Sequence, residues 1–174
     1  MAEIGIIYGS STGNTRDVCQ KLQQEFTTEH VDVLDVREIE LDALNRYPNL
    51  ILAVSTWGVG DLQDDWEEFY PAMDDVDLSG QRVAIMGLGD QKNYPDAFGD
   101  AVAILANKVR ERGGELVGQV DKDEDYTYSV SRAESNGRLL GLLIDEDSQR
   151  DKTDVRVRSW VEQLRKEFSL SRGR

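Results

Sequence analysis

Apolar positions along this chain fall into two kinds of pattern that alternate from start to end. Short runs rich in β-branched residues occur at Glu3–Tyr8, Val31–Val36, Leu50–Ser55, Arg82–Gly87 and Glu115–Gln119, the last resuming at Leu139–Ile144. Unbroken apolar stretches such as Ile51-Leu52-Ala53-Val54 suit strands buried on both faces. Between the runs lie helical patterns at about 14–26, 39–45, 65–72, 97–112 and 154–168. In the fourth, Ala101, Ile104, Leu105, Lys108 and Val109 form one largely apolar stripe. In the fifth, Val157, Trp160, Val161, Leu164 and Phe168 do the same. Gly113-Gly114 is a natural stop for the fourth helix. Strict alternation of strand and helix predicts an α/β fold, a doubly wound parallel sheet with helices on both faces. Residues 1–174 read as one domain without repeats or linkers, and about 169–174 as a frayed tail.

In sheets of this kind ligands bind beyond the carboxyl ends of the strands. That edge comprises residues 9–15, 56–64 and 88–98, all rich in Gly, aromatic and polar side chains. The first loop, Gly9-Ser10-Ser11-Thr12-Gly13-Asn14-Thr15, carries four hydroxyls and two glycines where a strand meets a helix. Helix-start amides lack intrahelical partners and sit at the positive end of the helix dipole, so the loop suits an anion. It has no Lys, and it fits neither the Gly-x-x-x-x-Gly-Lys-Ser/Thr loop nor Gly-x-Gly-x-x-Gly. Neutral donors suit a resident phosphate monoester rather than a phosphate in transfer. The same residue types also make ordinary turns and helix caps, so the loop alone leaves both readings open.

Composition narrows the classes. Hydrophobic residues make up 39% and charged residues 31%, as expected of a soluble globular protein, and no apolar run has membrane-spanning length. The single Cys, Cys19, excludes an internal disulfide framework or a metal site of several thiolates, and reads as a packing residue. His30, the only His, reads as a surface turn residue. The cytoplasm is the expected location. Net charge is −14, distributed as −18 over residues 1–149 and +4 over the last 25. Nucleic acid and anionic membranes are therefore poor partners, and a basic protein met by long-range attraction is the expected one.

The second and third loops add Ser55-Thr56-Trp57-Gly58-Val59-Gly60-Asp61 and Gly87-Leu88-Gly89-Asp90-Gln91-Lys92-Asn93-Tyr94. With Ser10–Thr15 they resemble the flavodoxin family in order and spacing, over about residues 3–168. About twenty residues between Gln119 and Leu139, including Asp125-Tyr126-Thr127-Tyr128, resemble the insertion (about 120–138) that splits the fifth strand in long-chain members. The family's five-strand order, 2-1-3-4-5 with FMN where the order reverses, is implied by the resemblance alone.

Carried over by position, the resemblance implies that Ser10, Ser11, Thr12, Gly13, Asn14 and Thr15 hold the FMN phosphate. Trp57 and Tyr94 would cover the two faces of the isoalloxazine ring. The backbone of Thr56, Gly58, Val59, Gly60, Leu88, Gly89 and Asp90 would meet its polar edge, and Asp147 the ribityl and phosphate end. Ser55 and Phe98 complete the cofactor-binding set. Ala97 and Gly99 stand where some long-chain members carry Asn and Gln, and residues 58–65 lack the Leu-Gly-x-Gly-x-Leu-Pro form of others. Trp66 reads as packing or edging the site, and Trp160 as core.

The implied function is a low-potential one-electron carrier, FMN cycling between semiquinone and hydroquinone, with no catalytic or metal site and no substrate turnover of its own. The Gly58 carbonyl, exposed by rotation of the Gly58–Val59 peptide, would accept the hydrogen at flavin N5. Asp61, Asp64, Asp65, Glu67, Glu68, Asp90 and Asp147 would surround the ring, and no Lys or Arg occurs between residues 47 and 81. One charge about 10 Å away at an effective dielectric near 40 opposes an added electron by roughly 0.8 kcal/mol, or some 35 mV. Expected partners are an NADPH-dependent flavodoxin reductase and an electron-accepting enzyme, both basic at the contact, with the carrier a monomer. A two-electron NAD(P)H–quinone oxidoreductase shares the fold, but single-domain length and the acidic rim favour the shuttle. A phosphoacceptor receiver would need an acidic cluster where this chain has Gly9-Ser10-Ser11. A scaffolding domain would not need three loops at one edge.

Overall fold

The computed structural model describes residues 2–168 and 170; most of the tail expected to fray, residues 169 and 171–174, lies outside them. The main sheet is built from β1 (Ile4–Tyr8), β2 (Val31–Asp35), β3 (Asn49–Trp57), β5 (Arg82–Leu88), β6 (Glu115–Leu116) and β10 (Leu142–Ile144). A short β4 (Asp61–Leu62) pairs antiparallel with the end of β3. Along the sheet the order is β2-β1-β3-β5-β10, all parallel. β6 and β10 both lie against β5, β6 opposite Arg82 and Val83 and β10 opposite Met86–Leu88. Between them β7 (Val120–Asp121), β8 (Glu134–Ser135) and β9 (Arg138–Leu139) form a separate antiparallel sheet, order β7-β9-β8.

Period-two side-chain alternation divides the strands between two cores. Ile7, Leu50, Leu52, Val54, Val83, Ile85 and Leu143 point to one face, where they meet Trp66 of α2 (Asp64–Phe69) and Val102, Leu105 and Val109 of α3 (Asp100–Glu111). Ile4, Ile6, Ile51, Ala53, Ala84 and Met86 point to the other. There they meet Val18, Cys19 and Leu22 of α1 (Asn14–Glu25) and Val157, Trp160 and Leu164 of α4 (Thr153–Glu167). Both faces are thus covered, as the apolar runs require.

The boundaries depart from the sequence pattern at four places. The stretch expected as a helix at 39–45 forms a 3-10 helix, Leu41–Arg46, preceded by another at Val36–Glu38. The pattern at 65–72 divides into α2 and a 3-10 turn, Tyr70–Asp75, because Pro71 cannot donate to the ladder. α3 starts at Asp100, after Gly99 at φ +72°, not at 97. The strand expected through Gln119 ends its pairing early: Val117 N–H donates to the Val83 carbonyl, then Gly118 at φ +78° turns the chain away.

Candidate functional site

At the carboxyl edge of β1, β3, β5 and β10 lies a cavity of about 280 Å³ lined by Thr12, Asn14, Thr15, Ser55, Thr56, Trp57, Gly58, Leu88, Gly89, Asp90, Tyr94, Glu146 and Asp147. A second depression, about 420 Å³, lies at the opposite ends of the strands, where Arg82 is paired with Glu115 at 3.3 Å. The first occupies the edge where ligands of such sheets sit.

One end of the cavity is the start of α1. Gly9 is packed so tightly that a Cβ there would stand 2.3 Å from Gln63 Oε1. The Gly13 N–H donates to Ser10 Oγ at 3.0 Å, and Gln63 Nε2 donates to Ser11 Oγ at 3.0 Å. Ser10 and Ser11 therefore brace the loop, while Thr12, Asn14 and Thr15 face the cavity. Gly13 takes φ +92° at the helix start, and among the described residues no side chain caps α1. The first-turn N–H groups and the dipole's positive end are left to a ligand. Thr15 is buried, and Thr12 is exposed.

The middle of the cavity is aromatic. Trp57 is 43% exposed and Tyr94 50%, unusual for such large rings and unlike the fully buried Trp66. Trp57 Nε1–H donates to Ser55 Oγ at 3.0 Å, which fixes the indole beside the strand end. Tyr94 ends a turn in which Asp90 Oδ1 accepts from the Lys92 and Asn93 amides. Thr56 Oγ1 accepts from the Ala101 N–H at 3.1 Å and so ties β3 to the start of α3. The reversal between β3 and β4 is Gly58-Val59-Gly60, with φ +53° and +105° at the two glycines. Both values lie where glycine alone is unstrained.

The remaining wall is acidic. Asp145, fully buried, accepts from the Gln91, Asp147 and Ser148 amides and from the Ser148 hydroxyl. Desolvation raises the Asp147 carboxyl above its ordinary range, and the Asp90 and Asp145 charges add to this. Asp61, whose carboxylate lies beside Gly58, is exposed, as are Asp64, Glu67 and Glu68 of α2.

Most of the expected positions come together here, with four qualifications. Ser10, Ser11 and Gly13 shape the loop without lining the cavity. Val59 is 87% exposed on the outside of its turn. Gly60 is buried against Asp100, whose Oδ2 would lie 2.9 Å from an added Cβ. Phe98 is 1% exposed and packs with Tyr126 and Tyr128 behind Gly89, so it supports the wall without lining it.

Two residues were not singled out from sequence. Glu146 lines the cavity, its Oε2 accepting from Thr153 Oγ1 at 2.7 Å. Gln63, fully buried, accepts from the Asp65 and Trp66 amides while donating to Ser11, and so joins the start of α2 to the α1 loop. The only signal for Gln63 was its place just before a helix.

The pattern of known proteins agrees with this geometry. The family model described as Flavodoxin matches residues 6–160. A flavodoxin of a Nostoc species is 45% identical over 168 residues, covering 97% of this chain and 98% of that protein. A flavodoxin of Klebsiella pneumoniae is 34% identical over 171 residues, covering 98% of this chain and 97% of that one. Among solved structures, Fusobacterium nucleatum flavodoxin bound to flavin mononucleotide superposes with a TM-score of 0.90 at 27% identity, covering 97% and 99% of the two chains.

Proposed function

The chain belongs to the flavodoxin family and is an FMN-based electron carrier rather than an enzyme with a substrate of its own, and from that premise we propose how its residues do the work. The observation that carries the reading is one cavity joining an uncapped helix start to two half-exposed aromatic rings. A phosphate monoester on a flat ring system needs that pair of environments. The donor set fits: hydroxyls and amides at one end, aromatic faces in the middle.

Thr12, Asn14, Thr15 and the first-turn amides of α1 would hold the phosphate. Trp57 and Tyr94 would cover the ring, each contact worth roughly 1 kcal/mol beyond burial of area. Bound FMN supplies the one-electron chemistry, and the protein tunes it through hydrogen bonds and charge near N1 and N5. The Gly58 carbonyl would accept the hydrogen held at N5, in a turn whose glycines can change their backbone state at little steric cost. The acid wall of Asp90, Glu146 and Asp147 opposes added negative charge on the ring and so favours electron release.

An electron carrier works through redox partners. We assign these a basic contact surface, in keeping with the eight acidic and no basic residues from Asp61 to Asp77. An NADPH-dependent flavodoxin reductase on the donor side and an electron-accepting enzyme on the other fit that charge. Among the described residues no helix is long and apolar enough to cross a membrane. Our reading is of a cytoplasmic monomer. The visible spectrum of the purified protein, followed by acid extraction, tests the assignment. Yellow protein releasing FMN at one per chain is expected; extracted FAD, or colourless protein that takes up no FMN, would overturn it.

A further inference from the structure

Behind the acid wall three polar side chains gather around the segment Asp125–Thr127. Gln91 Oε1 accepts from the Thr127 N–H at 2.7 Å, and Gln149 Nε2 donates to the Asp125 carbonyl. The Arg156 guanidinium, on the first turns of α4, stacks on the Tyr126 ring with Cζ 4.1 Å from its centroid. Gln91 is 2% exposed and Arg156 9%. Yet Gln91 Nε2, Gln149 Oε1 and both Arg156 Nη atoms are buried with no hydrogen-bond partner among the described residues. Leaving such groups unmade costs far more than a satisfied bond returns, most of all for a charged guanidinium.

The chemistry of these atoms selects the ligand. Three are donors and one is an acceptor. A metal ion would face the N–H groups, and an anion would face the Gln149 carbonyl with Asp123, Asp125 and Asp145 near Tyr126. A neutral molecule that both accepts and donates satisfies all of them. We propose that Gln91, Gln149 and Arg156 form a buried site for ordered water, which bridges α4 to the segment Asp125–Thr127 and to the two loops that wall the cavity.

The placement gives the site a role beyond filling space. Gln91 directly follows Asp90, and Gln149 lies two residues past Asp147, both cavity residues. The Gln91 amide and the Gln149 amide are in turn held by Asp145, through Oδ2 and the backbone carbonyl. Water held there ties the cavity loops to the helix behind them.

A high-resolution crystal structure of the FMN-loaded protein, paired with a bromide-soaked crystal, tests this. Expected is solvent within hydrogen-bond range of an Arg156 Nη and of Gln91 Nε2 or Gln149 Oε1, with no bromide signal. A bromide peak there, or Arg156 bonded directly to protein oxygen with no solvent, would overturn it. Hydrogen exchange of Arg156→Met gives a second reading, since Met keeps an apolar stem against Tyr126 but no donors. The Thr127 amide, bonded to Gln91 Oε1, should exchange about tenfold faster, with β1 and β3 unchanged. Unaltered exchange at that amide would also refute the bridge.

Discussion

Replacing Thr12 by Val separates phosphate binding from everything else the cavity does. Val keeps the β-branched shape and loses only the hydroxyl. Thr12 is exposed, so neither the fold nor the path of the loop should change. A hydrogen bond to a charged acceptor contributes about 1.5–3 kcal/mol. An exposed hydroxyl competes with water, which places Thr12 at the lower end, about a tenfold loss of FMN affinity. Thr15 is 2% exposed at the same helix start, so Thr15→Val should reach the upper end, on the order of a hundredfold. Riboflavin carries the same ring without the phosphate, and its affinity should stay within about twofold for Thr12→Val, since the hydroxyl has no charged partner to lose. The assay titrates apoprotein into each flavin and follows quenching of flavin fluorescence. Equal losses for FMN and riboflavin would show that the hydroxyl only shapes the loop and would refute the phosphate assignment.

Other expectations follow from the same geometry. The Asp147 carboxyl is raised in the fold by desolvation and by Asp90 and Asp145, so its ionised form opposes folding at neutral pH. Asp147→Asn should therefore melt higher than the parent at pH 7, and the gain should vanish as acid neutralises the parent carboxyl; melts across that range decide it. Electron transfer with a basic partner should slow as ionic strength rises from about 10 to 150 mM, as the screening length falls from roughly 30 to 8 Å. A stopped-flow rate flat across that range would remove the docking argument. A Cβ at Gly141 would lie 2.0 Å from the Ile85 carbonyl oxygen, whereas one at Gly80, φ +81°, meets nothing within 4 Å among the described residues. Gly141→Ala should cost about 3 kcal/mol or more and Gly80→Ala only about 1, at roughly 2–4 °C of melting temperature per kcal/mol. Similar losses would contradict the packing described at Gly141.

Both cores were legible because the strands are buried on both faces and their side chains alternate strictly. Ile51 and Ala53 meet α1 and α4, while Leu50, Leu52 and Val54 meet α2 and α3, as a parallel sheet between two helical layers demands. Glycine and proline set three of the four boundaries that differ from the pattern, because hydrophobic period carries no information about φ at Gly99 or Gly118, or about the missing donor at Pro71. Trp57 and Tyr94 could be read as site residues because large aromatics among glycines beyond a strand end are poorly explained as core. Phe98 has the same neighbours in sequence but turns inward to Tyr126 and Tyr128, and only tertiary packing tells the two situations apart. Gln63 and Glu146 escaped notice because their partners, Ser11 and Thr153, are distant or unremarkable in sequence.

The central claim is that this cavity makes bound FMN a one-electron carrier. The direct measurement is a stepwise anaerobic reduction of the FMN-loaded protein, followed by visible absorption and electron paramagnetic resonance. Two separate one-electron steps, with a stable one-electron-reduced flavin accumulating between them and the second step at much lower potential, are predicted. A single two-electron step with no radical signal would contradict the account.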